Sequence, residues 1–210
     1  LNFGDLVNPP NIEVATVHNH SWIGTPDPNN LEILERTDFA IYRDNPTVVV
    51  GVNNGATSAL PELLSNAYNT ISVGLTDGNH SSGTTTVYGN GRIKPEIVAP
   101  HSATSYATPQ VSSSALFLQA SAKALFPADP DARKSDTIKA IILAGATKEE
   151  FNQNIWDRTT ARPLDEVYGA GELNIQRAYH ILDAGRFSPY PAASATEEGW
   201  ARESIIAGNS

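Results

Sequence analysis

The chain contains no cysteine and no methionine among its 210 residues. Without Cys, disulfides and thiolate metal sites are excluded. A natural chain starts with Met unless it is processed or cut. The start at Leu1 and the lack of any Met lead us to expect a processed or partial chain, from which a signal peptide would already be gone. Basic residues are few: 14 Lys and Arg face 23 Asp and Glu, for a net charge of -9. No Lys/Arg cluster occurs, which argues against nucleic-acid or anionic-membrane binding. Apolar runs fall far short of a membrane span, so an integral membrane protein is not expected. What the chain does have is core material. Hydrophobic residues make up 40%, with Trp 3, Tyr 7 and Phe 6. That suffices for one ordinary domain or a little more, and wholesale disorder is not expected.

Patterning along the chain alternates strands with helices. Ile12 to Ser21 alternates apolar and polar residues and predicts a strand. Asn29 or Asn30 then caps a helix that ends by Asn45-Pro46. Thr47 to Val52 is an uncharged, β-branched run, the pattern of a strand covered on both faces in a parallel sheet. Thr70–Val73 and Ile97-Val98 are short strands, and Asp77 to Asn90 is a polar loop or exposed hairpin. Helices are expected over Ser105–Leu125, with Pro109 in its first turn, over Ser135–Ala144 and over Leu173–Ala184. The apolar stretch Ala115-Leu116-Phe117-Leu118 predicts that the first of these is buried nearly all round. The whole is an α/β domain with a largely parallel sheet. From Phe187 onward Pro, Ala, Ser and Gly dominate, so residues 187–210 read as a tail or linker behind a domain of residues 1–186.

The stretch richest in chemical information is Ala103-Thr104-Ser105-Tyr106-Ala107-Thr108-Pro109-Gln110-Val111. It places Ser105 where a polar loop enters a helix. A Ser there is ordinarily an N-cap. It can also be a nucleophile, because free N–H groups and the positive helix end stabilise the oxyanion formed in acyl transfer.

This stretch resembles the Gly-Thr-Ser-x-Ala-x-Pro motif of the subtilisin-like serine proteases, with Ala103 and Gln110 as departures. Further segments resemble that family in the same order. Near the front are His20-Ser21-Trp22-Ile23-Gly24, the strand and turn Val48 to Gly55, and Asn69 to Gly74. Lys94-Pro95-Glu96-Ile97-Val98-Ala99-Pro100 and Tyr168-Gly169-Ala170-Gly171-Glu172-Leu173-Asn174-Ile175 complete the set. Matches in correct order over roughly residues 13 to 185 imply the C-terminal part of a three-layer subtilisin-like domain.

The resemblance also implies roles. Ser105 would be the nucleophile, and Asn53 would donate its side-chain N–H to the oxyanion hole beside the backbone N–H of Ser105. Ser21, Trp22, Ile23 and Gly24 would line the cleft and bind an extended peptide or protein substrate by strand addition. Calcium is a ligand that the resemblance implies, but no cluster specific enough to name is present; otherwise no cofactor or metal site is expected. An extracellular or cell-envelope location is implied as well. The family's Asp-Thr/Ser-Gly turn and His-Gly-Thr-His helix start do not occur in these residues. Without a base, Ser105 is a weak nucleophile. His18 and His20 share one face of a strand and are read as structural or cleft-lining residues. Only four residues separate Pro100 from Ser105, where the family has a longer loop. Three readings follow: a serine endopeptidase whose Asp/His half lies elsewhere, an inactive pseudoprotease that binds peptides, and a generic α/β binding domain. The strand edge left by the missing half would be covered by a further segment or a partner chain.

Overall fold

The computed structural model describes residues 7–24, 27–148, 156–187 and 199–202. Its centre is a parallel sheet of β1 (Val17–His20), β2 (Thr47–Gly51), β3 (Ile71–Leu75) and β6 (Ile97–Ala99), in the order β1-β2-β3-β6. Every residue of β2 and β3 is buried, as an uncharged β-branched run requires. Alternation within β2 sorts its side chains between two layers. Val48 and Val50 pack with Ile41 of helix α1 (Asn30–Asp44) and with Leu64. Val49 joins Ile71, Val73 and Ile97 against α2 (Thr104–Leu125), α3 (Ser135–Gly145) and α4 (Ile175–Asp183). The result is the α/β domain with a parallel sheet that the sequence pattern predicts, in the three layers that the resemblance implies.

Several boundaries differ from the sequence reading, each for a local reason. β1 starts at Val17 rather than Ile12. The Glu13 carboxylate caps the N–H groups of Val14 and Ala15, and the Glu13 N–H is held by Asp44. That withdraws this stretch from the ladder and leaves Ile12 and Val14 exposed. Asn29 is the N-cap of α1 but makes no side-chain cap bond, whereas Asn45 closes the helix in a left-handed conformation. Pro109 falls in the second turn of α2, where it removes the N–H that would bond the Ser105 carbonyl. Helix α2 is also not buried all round. Its small residues Ala107, Val111, Ala115 and Ala122 face the core, while Leu116 and Phe117 stay half exposed. One stripe meets the sheet and the neighbouring helices; on the other, Phe117 is covered only in part, by the Tyr179 ring of α4 at 5.7 Å.

The polar loop expected over Asp77–Asn90 contributes a short strand, β4 (Gly83–Thr84), paired antiparallel with β5 (Ile93–Lys94). Trp200 lies within the stretch read as a tail or linker. It is buried in the main core, with its ring 6.2 Å from that of Phe126. Among the described residues β1 pairs only with β2, so its other side is an open strand edge.

Candidate active site

Parallel sheets place their functional clefts at the carboxyl ends of the strands. Here β1 ends at His20, β2 at Gly51 and β6 at Ala99, and residues 100–103 bridge β6 directly to the start of α2. A small cleft of about 60 Å³ opens there, lined by Ser21, Trp22, Ile23, Asn53, Asn54 and Ser105. Gly24 is not among the lining residues; it packs against Leu63 so closely that an added Cβ would lie 3.1 Å from the Leu63 Cβ. Trp22 and Ile23 are 55% and 44% exposed, so both apolar side chains face solvent at the cleft. Trp22 is steadied by an edge-on contact with the ring of His20 at 5.5 Å.

The Ser105 turn is held by its predecessor. Thr104 donates its backbone N–H to Asn54 Oδ1 at 2.8 Å, and its hydroxyl to the Val52 carbonyl at 2.7 Å. Gly51 lets β2 approach this turn, since a Cβ there would meet Thr108 Oγ1 at 2.8 Å. The helical N–H groups of Tyr106 and Ala107 return to the Ala103 carbonyl. The backbone N–H of Ser105 has no acceptor among the described residues, and its hydroxyl has no partner among them either. A free N–H at a helix N-terminus is an anion-stabilising group.

The turn after β2 is braced from a second loop. Asn53 and Ser81 are tied twice: the Asn53 backbone N–H donates to the Ser81 hydroxyl at 3.1 Å, and the Ser81 backbone N–H donates to the Asn53 carbonyl at 2.8 Å. The Asn53 side-chain Nδ2 donates to the Ala59 carbonyl at 2.7 Å. His80, read from sequence only as a loop residue, is completely buried. Its Nδ1 accepts the Leu75 N–H and its Nε2 donates to the Val167 carbonyl, both at 2.9 Å. Burial holds its pKa below the ordinary value, so it is a neutral brace for the cleft loop. The polar composition of residues 77–90 gave no sign of this. Thr104, Asn54 and Ser81 were likewise missed as site-building residues, because their partners lie far away in sequence.

Among the described residues no histidine hydrogen-bonds Ser105. His18 and His20 stack at 6.1 Å on one face of β1, as their spacing predicts. His101 is exposed and lies against Tyr106, with ring centroids 6.3 Å apart. Among the described residues no group of three or more His, Asp or Glu side chains could hold a metal ion, so no ligand set for calcium is assigned.

No protein-family model matches the chain, and no curated protein does. Solved structures do. The prenylagaramide maturation protease PagA matches with a TM-score of 0.56 at 20% identity, over 79% of this chain and 62% of that one. The patellamide maturation protease PatA matches with a TM-score of 0.53 at 18% identity, over 81% and 64% of the two chains. A protease of Pseudoalteromonas arctica PAMC 21717 matches with a TM-score of 0.51 at 15% identity, over 83% and 53%. The chain thus spans less than two thirds of the length of these proteins. The order of its parallel strands, the cleft at their carboxyl ends and these matches together identify the architecture as the subtilisin-like protease fold.

Proposed function

We propose that this chain is part of a serine endopeptidase in which Ser105 attacks the carbonyl of an extended peptide bound along Ser21, Trp22, Ile23 and Gly24. The observation that carries this reading is the meeting of Ser105, its unpaired N–H and the Asn53-Asn54 turn in one cleft. Ser105 would form the acyl-enzyme, and a side-chain amide of the turn, Asn53 by its place in the motif, would join the Ser105 N–H in stabilising the oxyanion. The general base and its acidic partner would come from outside the described residues, on a segment or partner chain that also covers the open edge of β1. Ligand classes in this reading are peptides and proteins, not nucleic acid or membrane. No helix among the described residues is long and apolar enough to cross a membrane. An extracellular or cell-envelope setting, and a structural calcium ion, belong to the same proposal by resemblance of fold.

A second reading has its own support: no base hydrogen-bonds the Ser105 hydroxyl among the described residues. In that case the cleft binds peptides without cutting them. Reaction of the full-length protein with a fluorophosphonate decides between the two. Covalent labelling that disappears in Ser105→Ala supports catalysis, and no labelling of the unaltered protein overturns it.

A further inference from the structure

We infer that the cleft beside Ser105 selects a small, uncharged side chain on the acyl side of the bond to be cut, the size of alanine or serine; the inference rests on the acyl-transfer reading above. For the Ser105 Oγ–C bond to form, the attacked carbonyl carbon must come within bonding distance of Ser105. The side chain of that residue starts from the next atom, its Cα. Ser105 lines the cleft, and so do Ser21, Trp22 and Ile23, along which the peptide enters. The side chain next to the attacked carbonyl therefore enters this cleft. The amine on the other side of the broken bond departs with the hydroxyl proton.

Size sets the first limit. The cleft encloses about 60 Å³. One water's share of liquid volume is about 30 Å³, and a cavity of about 150 Å³ takes up a benzene ring. The cleft thus holds a methyl or hydroxymethyl group and falls well short of a Phe or Tyr ring.

Its floor is fixed by backbone. The buried lining residues are Gly51, Val52 and Thr104, whereas Trp22 and Ile23 stand exposed at the rim. The Thr104 hydroxyl donates to the Val52 carbonyl at 2.7 Å, which locks α2 against the end of β2. Behind Gly51 stands the Thr108 hydroxyl, itself bonded to the Thr104 carbonyl at 2.7 Å. Side-chain rearrangement cannot deepen such a floor. A further segment that completes the cleft adds atoms at the rim and leaves the floor in place.

Charge sets the second limit. None of the lining residues is Asp, Glu, Lys or Arg. A charged side chain seated there would lose its hydration without gaining a counter-charge. Ile23 is then the specificity-determining residue that is free to vary, because it narrows the rim and holds no part of the Ser105 turn.

The test uses peptidyl diphenyl phosphonates that differ only in the side chain next to phosphorus: methyl, benzyl or aminobutyl. The Ser105 Oγ–P bond forms as phenol leaves with the hydroxyl proton. On the full-length protein the methyl probe should label at least about 100-fold faster than either of the others. Ile23→Ala, with a wider rim, should reduce the methyl-to-benzyl ratio at least about fivefold. A benzyl or aminobutyl probe as fast as the methyl probe overturns the inference. An unchanged ratio in folded Ile23→Ala overturns it too. In both cases a fluorophosphonate without a side chain still labels Ser105, so the protease reading survives. Absence of labelling by every probe removes that reading and this selectivity together.

Discussion

Lys139 of α3 places its Nζ 2.7 Å from Glu96 Oε1, and the same oxygen lies 3.3 Å from the Nζ of Lys94. Lys94 is completely buried. Burial, helped by the nearby charges of Lys139 and Arg92, pushes its pKa down to about 8 against the opposing pull of Glu96. Burial would raise the Glu96 pKa, but the two ammonium groups hold it below the ordinary carboxylate value. Lys139 also donates to the carbonyls of Tyr68 and Thr70, which tie the start of β3 to α3.

Glu96→Gln should therefore be costly. It leaves a buried Lys94 without a counter-charge, a change worth about 3–5 kcal/mol. Urea denaturation of the variant should show that loss. A loss below about 1 kcal/mol would mean that water reaches Lys94 and the cluster is screened.

Acid should weaken the fold through His20. The residue is buried, neither ring nitrogen has a hydrogen-bond partner among the described residues, and burial above all pushes its pKa down to about 4. The unfolded chain takes up this proton near pH 6.5, so stability is complete above that value. It declines as pH falls toward 4 and levels off below, by on the order of 2–3 kcal/mol. His20→Leu should flatten this slope in denaturation curves collected between these limits. An unchanged slope would remove His20 as its source.

Gly169→Ala should be among the most damaging single-methyl additions. Gly169 sits at φ +58°, and a Cβ there would lie 2.6 Å from the Pro95 carbonyl oxygen, against backbone that cannot swing away. We expect a loss of about 3 kcal/mol from the combined strain and clash. Calorimetry reads it directly, and a thermal midpoint equal to that of the unaltered protein would contradict the packing described.

The isolated 210-residue chain should self-associate. Among the described residues nothing pairs with the outer edge of β1, and exposed Val14, Leu116 and Phe117 add apolar surface. Sedimentation velocity should show species larger than the monomer that increase with concentration. A monomer at every concentration would show that this edge needs no cover.

The sequence by itself determined the elements that local pattern controls. β2 and β3 follow from uncharged β-branched runs, α1 from its periodicity and the Asn45-Pro46 stop, and the Ser105 turn from its run of small and polar residues before a helix. The ordered motifs also carried the fold. Tertiary structure decided what depends on partners distant in the chain. Asn54 meets Thr104 across 50 residues, and His80 meets Val167 across 87. No local pattern encodes such bonds, since an Asn in a turn and a His in a polar loop read alike whether free or committed. The Asn53 side chain bonds Ala59 and the Asn54 side chain bonds Thr104, a division set by how β2 meets α2, which no local pattern could show.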